Sequence, residues 1–512
     1  MQETAGHGRR FPVLLAAAVV VLVSVLGWMW SYGFPRPTAD SMCFKQPAYM
    51  RLFTPNFSVP TYAGQCVAAD KLNSYPAVIY YYLNYALFRV FGPGYFTSLA
   101  LDLVLFVLLT VLAAFCIWKV TGRQLPAAVF LLASGQILDP VGRPEVLGIL
   151  LVFVGLLTVE RGTWGLCVAV AALGLAGVTS PGAAIVGTVL LVCYLGFRGK
   201  LDRAFWARAA LLVLIPPLIS AGLYAAYAWP WLSEALAQHR QLVEHRVYFQ
   251  PMPWQLLRDN LFWDASTVPL LLAATAACVY CLRRRPNWFP RHEPAGALVA
   301  AAAIVIPVGC ILNVVTKRAT YDYRHITLLA LAVVTLVVAW WPPGARWAYS
   351  KKAIAALVLI FLFSLPEQQI IVRNGLAPLA WRRDAVTLAE AKRTVADVVP
   401  PEASVGGDAV VWLLIDDGRP FISVQAAAID HWPEYLISAT WARHPSVAQQ
   451  PEFEAKLAAE YEEITRQPLR PVDGCSLRVL GRLVPIASGR CDWYVRIWKR
   501  RDAGRRPEIA RR

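Results

Sequence analysis

Long apolar stretches separated by short polar segments recur along the first two thirds of the chain. A helix of about 20 apolar residues crosses the hydrocarbon core of a bilayer, so each stretch predicts a transmembrane helix. The third to sixth stretches are short for that purpose, and we expect flanking polar residues or helix tilt to extend them. About eleven stretches are present, at residues 11–30, 95–118, 126–138, 146–159, 164–178, 183–195, 209–229, 268–282, 295–315, 326–341 and 353–365.

Lysine and arginine are unevenly distributed over the loops between these stretches. If the N-terminus is cytoplasmic, the cytoplasmic loops hold more Lys and Arg than the outer loops, although they are shorter. The positive-inside rule therefore predicts a cytoplasmic N-terminus. An odd number of spans then places the region from residue 366 onward outside the cytoplasmic (inner) membrane.

The predicted fold class is mainly α, a polytopic membrane protein. Its transmembrane domain covers residues 1–368 and has long outer loops at 31–94 and 230–267. Residues 369–498 carry shorter, mixed patterns that predict a small extracytoplasmic α/β domain, followed by a basic disordered tail at 499–512. Within that domain the patterns predict helices at 384–399 and 451–465 and strands at 409–415, 420–424, 477–483 and 493–498.

Composition agrees with a membrane protein. Apolar residues make up 57% of the chain and the mean hydropathy is +0.47, whereas soluble proteins are about 45 to 50% apolar. The formal net charge of +16 does not indicate nucleic-acid binding, because the cations form no basic and aromatic stripe. Membrane proteins are often basic through the positive-inside bias and contact with anionic lipid. We therefore expect membrane lipid, and no nucleic acid, among the partners.

Four of the ten cysteines lie outside the predicted spans, and they fall into two pairs. Cys43 and Cys66 share the first outer loop, and Cys475 and Cys491 share the C-terminal domain. An oxidising compartment favours disulfides, so we predict the pairs Cys43–Cys66 and Cys475–Cys491. Unpaired thiols at incidental positions are the alternative.

Carboxylates near the ends of predicted spans are the first candidates for chemistry. Asp40 follows the first span, where a carboxylate can accept a proton from a hydroxyl or hold a divalent cation. A solvated turn residue is the alternative. Asp139, Arg143 and Glu145 share a Pro-flanked loop between two short spans. Ionisable groups so close to hydrocarbon face a cavity or each other, which leaves a functional site and an internal ion pair as the two readings.

A basic and aromatic segment opens the tenth predicted span. Lys317, Arg318 and Arg324 lie near Tyr321 and Tyr323 on the side where positive charge is disfavoured. A lipid phosphate at the membrane interface would neutralise these cations. Snorkelling of the cations within an ordinary aromatic belt is the alternative.

The sequence lacks the motifs of several other classes. It has no phosphate-binding Gly-rich loop with Lys, no His-Glu-x-x-His pair and no nucleophile elbow, which argues against an ATPase, a zinc protease and an α/β-hydrolase. It also has no Asp-x-Asp motif of the soluble nucleotide-sugar enzymes. Within the predicted spans the acidic residues are limited to Asp102, near one end of its span, whereas proton-coupled carriers need more.

Several segments, in the same order, resemble the GT-C superfamily of membrane glycosyltransferases. The run YPAVIYYYL at residues 75–83, continued by LFRVFG at 87–92, is similar to the juxtamembrane segment of that superfamily. Arg143-Pro144-Glu145 resembles its Arg-Pro-acid sequence in the second outer loop, and residues 173–179 resemble its Gly-Leu-Ala stretch. Tyr323-Arg324 is similar to a pair that often opens a late span. The resemblance covers about residues 11–370. The superfamily includes the aminoarabinose and galacturonic acid transferases and the protein O-mannosyltransferases.

The sequence departs from this superfamily at three points. Ser41 follows Asp40 where a Glu is common, and two lysines are missing, one before Pro76 and one after Thr179. Lys71, Lys317, Arg318 or Arg324 would then have to bind the donor phosphate in their place.

The resemblance implies transfer of a sugar from a polyprenyl-phosphate donor to an acceptor hydroxyl, with inversion at the anomeric carbon. The acceptor would be an envelope glycan (for example lipopolysaccharide), a lipid or a protein. It implies Asp40 and Glu145 as the catalytic residues, and a divalent cation (Mg²⁺ or Mn²⁺) bound by Asp40, Asp139 and Glu145. The donor phosphate would be bound by Arg143, Lys317, Arg318, Arg324, Tyr323 and Lys71. The alternative, which Ser41 favours, is a non-enzymatic carrier or assembly subunit for lipid-linked envelope intermediates.

Overall fold

The structure is a computed structural model that describes most of the first 237 residues and parts of the remainder. The described residues are 13–36, 41–42, 44–58, 72–73, 75–137, 142–199, 201–237, 240, 274, 293–315, 329, 331–333, 335, 375–376, 378–379, 386–407, 410–415, 421–423, 432–439, 451–465, 476–479, 482–485, 493 and 495–501.

Helices dominate the described part of the chain. They are α1 (Val13–Ser31), α2 (Gln46–Met50), α3 (Val78–Phe91), α4 (Tyr95–Thr121), α5 (Gln124–Ile137), α6 (Pro144–Thr158), α7 (Gly162–Thr179), α8 (Pro181–Arg198), α9 (Arg203–Ala228), α10 (Pro294–Val315), α11 (Leu388–Val398) and α12 (Pro451–Glu460).

Five of these helices, α1, α4, α7, α8 and α9, are long and apolar enough to cross a membrane, while α5, α6 and α10 are apolar over shorter lengths. The chain is therefore a multi-pass membrane protein, and these eight helices coincide with predicted apolar stretches. The stretches at 268–282, 326–341 and 353–365 lie wholly or largely outside the described residues, so the count of eleven stays a prediction.

Two of these helices, α2 and α3, lie within the outer loop predicted at 31–94. Four aromatic or polar side chains of α3, Tyr80, Tyr81, Asn84 and Phe88, are buried along one face at helical spacing. This spacing repeats every three to four residues, as expected for a helix that lies against the bundle. We define the α2 end of the bundle as the end at which α4 and α6 begin, because α2 and α3 pack there.

Small residues allow the spans to approach closely. A Cβ atom added to Gly174 of α7 would lie 2.7 Å from Ile219 of α9, and one added to Gly177 would lie 2.2 Å from the Ser220 hydroxyl. The Ser220 hydroxyl donates a hydrogen bond to the Gly174 carbonyl, with 2.8 Å between the oxygens. Membrane helices commonly associate through such small residues and interhelical hydrogen bonds.

The C-terminal region, residues 386–501, contains the strands β1 (Val405–Gly407), β2 (Phe421–Ser423), β3 (Tyr435–Ala439), β4 (Tyr461–Glu463), β5 (Ser476–Val479), β6 (Arg482–Pro485) and β7 (Val495–Arg500). Five of them form a mixed sheet in the order β2-β1-β3-β7-β4, and β5 and β6 form an antiparallel pair. In the mixed sheet β1 is parallel to both neighbours, and β7 is antiparallel to β3 and β4.

The predicted elements of this region are partly wrong. The strand predicted at 409–415 is a short 3-10 helix at Val411–Leu413. Its apolar run is buried throughout, and a short apolar run does not distinguish a strand from a buried helix. The helix predicted at 451–465 ends at Glu460, and the chain continues as β4, which pairs with β7. The strands β1 and β3 were not predicted.

Aromatic side chains join the C-terminal region to the α2 end of the bundle. The ring of Trp412 lies 4.9 Å from that of Tyr49 in α2 and 5.9 Å from that of Phe88 in α3, between centroids. The ring of Trp493 lies 5.5 Å from that of Tyr95 at the start of α4. Both tryptophans are almost fully buried and belong to the same hydrophobic core as the membrane helices. The C-terminal region is thus packed against the helices.

We expect Trp412→Ala to loosen this packing. Removing a buried Trp side chain costs about 3 to 5 kcal/mol, so thermal unfolding of the detergent-solubilised protein should begin at a lower temperature, and protease should release the C-terminal region. Trp498→Ala is the control, because the half-buried Trp498 of β7 stacks with Arg496. Equal effects of both substitutions would show that the Trp412 contacts do not hold the region.

Candidate functional site

Two of the predicted site residues, Arg143 and Glu145, fall within the described part of the chain. The others, namely Asp40, Lys71, Asp139, Lys317, Arg318, Tyr323 and Arg324, lie outside it, as do the four cysteines Cys43, Cys66, Cys475 and Cys491. Their roles and pairings therefore stay predictions.

Arg143 and Glu145 lie next to each other at the start of α6. Arg143 is in an extended conformation, Pro144 is in the first turn of the helix, and Glu145 is its acidic first-turn residue. Proline and carboxylates favour this position because the first amides are free and the helix dipole is positive there. The guanidinium of Arg143 lies 3.8 Å from the Glu145 carboxylate, and both side chains are largely buried. Arg143 also lies over the ring of Phe44, 5.7 Å from its centroid. The internal ion pair, which was one of the two readings of this loop, is thus present.

The loop before Arg143 is in direct contact with the segment that follows Asp40. Gly142 has a φ of +68°, and a Cβ atom added to it would lie 2.1 Å from the Cβ of Ser41 and 2.8 Å from its Cα. Glycine is required here for two reasons, the left-handed backbone and the close approach of Ser41. The first and second predicted outer loops therefore meet at this point, and we call them the first and second outer segments.

Asp102 of α4 binds residues of both segments. It lies in the second turn of α4, is 3% exposed and forms an ion pair with Lys45. The hydroxyl of Tyr80 in α3 donates to it at 2.6 Å, and the backbone N–H of Gly142 donates to it as well. We call Lys45, Tyr80, Asp102 and Gly142 the Asp102 cluster.

Burial determines the electrostatics of this cluster. It lowers the pKa of Lys45, while the charge of Asp102 acts in the opposite direction. Burial raises the pKa of Tyr80 well above its ordinary value, and the charges of Asp102 and Glu145 raise it further. Tyr80 therefore stays protonated and can donate its hydroxyl.

Sequence reasoning noted Asp102 but missed Lys45 and Tyr80 as its partners. A signal was available, because an ionisable residue inside an apolar span needs a partner of opposite charge. Lys45 is the lysine of the first outer segment that lies nearest the first span.

An apolar groove of about 590 Å³ lies between α7, α8 and α9. Its lining includes Leu173, Val178, Pro181, Val189, Pro216 and Tyr224, and it reaches Pro76 just before α3. One close contact connects the groove to α6, the helix that begins with the ion pair. Gly148, one turn after Glu145, is packed so closely on α8 that an added Cβ atom would lie 2.9 Å from the Cβ of Ser180. Ser180 precedes Pro181 of the groove.

No metal-binding group of three or more His, Cys, Asp or Glu side chains occurs among the residues that the structure describes. Of the three predicted cation ligands, Glu145 is described, and Asp40 and Asp139 are not. The cation therefore stays a prediction.

Comparison with known proteins identifies the fold class. No protein-family model matches the sequence, and no curated protein matches it either. Among solved structures, the mycobacterial arabinofuranosyltransferase AftD matches with a TM-score of 0.51 and 14% identity, over 98% of this chain and 40% of AftD. The chain thus spans about two fifths of the length of AftD. This likeness confirms the GT-C-like fold expected from the sequence.

Two further structures match with lower scores. The oligosaccharyltransferase AglB of Archaeoglobus fulgidus, in complex with an inhibitory peptide and a dolichol-phosphate, has a TM-score of 0.47 and 11% identity, over 83% of this chain and 69% of AglB. ArnT of Cupriavidus metallidurans, bound to undecaprenyl phosphate, has a TM-score of 0.44 and 12% identity, over 96% of this chain and 100% of ArnT.

We expect Gly142→Ala to separate the two outer segments. A left-handed backbone costs an alanine about 1 to 2 kcal/mol, and the new methyl group would also collide with Ser41. Gly122→Ala is the matched control, because Gly122 has a φ of +66° and nothing within 4 Å of an added Cβ atom. The thermal unfolding midpoint of the purified protein should fall further for Gly142→Ala. Equal midpoints would contradict the close approach of Ser41.

Proposed function

We propose that this protein is a membrane glycosyltransferase that moves a sugar from a polyprenyl-phosphate donor to an acceptor hydroxyl of an envelope glycan, lipid or protein. The contact between Ser41 and Gly142 carries this proposal. Ser41 follows Asp40 in the chain and Gly142 precedes Arg143, so the contact joins the segment of the proposed base to that of the ion pair. The GT-C-like fold and the fact that AftD is an arabinofuranosyltransferase agree with it.

The apolar groove supports a lipid-linked donor. A polyprenyl chain is a long hydrocarbon and needs an apolar surface that continues into the bilayer. The groove lies between membrane-spanning helices, and its lining includes Pro181, which follows Ser180, the residue in close contact with Gly148. A donor whose chain occupies the groove would therefore have its phosphate at the α2 end of the bundle, within reach of cations there.

The proposed reaction is a single displacement with inversion. Asp40 accepts the proton of the acceptor hydroxyl, and the acceptor oxygen forms a bond to the anomeric carbon of the sugar. The bond between that carbon and the phosphate oxygen breaks, and the polyprenyl phosphate leaves with the electron pair. Arg143, with Lys71, Lys317, Arg318, Tyr323 and Arg324, binds the departing phosphate. One well-placed donor of this kind commonly contributes about 3 to 4 kcal/mol to a transition state.

Glu145 has two proposed tasks. Its carboxylate holds the guanidinium of Arg143 and so directs that cation. If the reaction uses Mg²⁺ or Mn²⁺, Glu145 would hold the ion together with Asp40 and Asp139, since carboxylate oxygens are the ligands such ions prefer.

The predicted topology completes the proposal. A cytoplasmic N-terminus in the inner membrane would place the α2 end and the C-terminal region on the extracytoplasmic side, with disulfides Cys43–Cys66 and Cys475–Cys491. The packing of Trp412 on α2 supports a C-terminal region on the same side as the first outer segment.

We expect Asp40→Ala and Glu145→Gln to abolish transfer while the protein stays folded and inserted. The test uses a deletion strain complemented with each variant, and mass spectrometry of its envelope lipids and glycans. The wild-type gene should restore a product that is one pentose or hexose heavier. Glu160→Gln is the control, because Glu160 pairs with Arg198 at the opposite end of α6.

Product restored by Asp40→Ala to the wild-type level would remove Asp40 from the mechanism. If the deletion changes only the location of a lipid-linked intermediate, and not the mass of any product, the carrier alternative holds instead.

A further inference from the structure

We propose that Asp102 is a positioning residue for the transfer reaction: through Lys45, Tyr80 and Gly142 it sets the place of the first outer segment relative to the loop of Arg143 and Glu145. This inference rests on the proposed function.

The placement of Asp102 is energetically demanding. It lies in an apolar helix and is 3% exposed, and a carboxylate in such surroundings is strongly disfavoured unless it is paired and hydrogen-bonded. Two apolar side chains at these positions are often as stabilising as a buried ion pair. Because stability alone does not require a carboxylate at this position, we infer a geometric role for Asp102.

The three donors come from three separate parts of the chain. Lys45 belongs to the segment of Ser41 and α2, Tyr80 to α3, and Gly142 to the loop that begins α6. Lys45 also donates to the carbonyl of Ser98, one turn before Asp102, at 3.3 Å. Hydrogen bonds and ion pairs are directional, so this arrangement defines one relative position of the two outer segments, whereas apolar contacts would allow several.

In this proposal Asp102 acts through its partners and takes no part in the bond-making steps. Its carboxylate is occupied by Lys45 and Tyr80 on its two oxygens and by the Gly142 amide. It therefore acts on the site through these partners, because Lys45 lies shortly after Ser41 in the chain and Gly142 is the residue in contact with Ser41. A shift of about 1 Å in such a segment can reduce turnover by about 100-fold.

The test compares full-length variants in detergent. Lys45→Met with Asp102→Leu replaces the ion pair by an apolar pair and leaves no buried charge. We expect this double variant to unfold at a higher temperature than either single variant, although the Tyr80 hydroxyl and the Gly142 amide lose their acceptor. It should keep its KM for the donor, while kcat falls about 100-fold. Each single substitution leaves one buried charge unpaired and should lower both stability and kcat. A merely structural role predicts that the double variant regains wild-type kcat, and this result would overturn the proposal.

The donors in this assay are undecaprenyl-phosphate-linked pentoses and hexoses, with envelope extract of the deletion strain as acceptor. If the double variant does not fold, Tyr80→Phe replaces it, because that change removes one donor without leaving a buried charge. Its kcat should fall about tenfold with an unchanged KM. Thr110→Val is the matched control, since Thr110 is a buried residue of α4 that donates only to its own helix, at Phe106 and Val107.

Hydrogen exchange distinguishes failure of this proposal from failure of the proposed function. The peptides that contain Gly142 to Gly148 should exchange faster in the double variant and in Tyr80→Phe, and at the wild-type rate in Thr110→Val. A wild-type protein without transferase activity would overturn the proposed function, and faster exchange would still support the positioning role. Unchanged exchange in both variants would overturn the positioning role whatever the activity.

Discussion

A carboxylate buried at the end of a membrane helix must be surrounded by hydrogen-bond donors, and Asp102 meets this requirement with groups from three segments. Water is excluded at 3% exposure, so each donor that Asp102 recruits must be held there by its own part of the chain. The ammonium of Lys45, the hydroxyl of Tyr80 and the amide of Gly142 meet at one point for this reason. The first outer segment, α3 and the start of α6 thereby acquire fixed positions on α4.

Other features of the α2 end follow from that arrangement. With Lys45 held on α4, α2 presents Tyr49 to Trp412, and the C-terminal region packs there. With Gly142 held on α4, α6 begins beside Ser41, and Arg143 and Glu145 lie at its first turn. From α6 the close contact of Gly148 with Ser180 leads to the apolar groove. A polar region and an apolar groove therefore adjoin at the α2 end of the bundle.

Much of this fold could be predicted from the sequence, because apolar runs of sufficient length have few other solutions in a membrane protein. The pair Arg143 and Glu145 could also be predicted, since both residues are local in the chain and follow a helix-start pattern. Lys45 could be predicted only in part, because the carboxylate of Asp102 inside an apolar span needs a cation, but no periodicity of the long polar segment identifies Lys45 as that distant partner. The 3-10 helix around Trp412 was predicted as a strand. Its residues are all apolar, so the sequence shows neither the alternation of a strand nor the period of a helix, and the two cannot be distinguished.

The accessibility of Lys45 tests the buried ion pair most directly. The native protein would be acetylated in detergent with an amine-reactive ester, and modification of individual lysines followed by peptide mass spectrometry. We predict that Lys45, which is 0% exposed, stays unmodified while the exposed residues Lys119 and Lys499 react. Modification of Lys45 at the same rate as Lys499 would contradict it, because an ammonium bound to Asp102 inside the bundle is not available to the reagent.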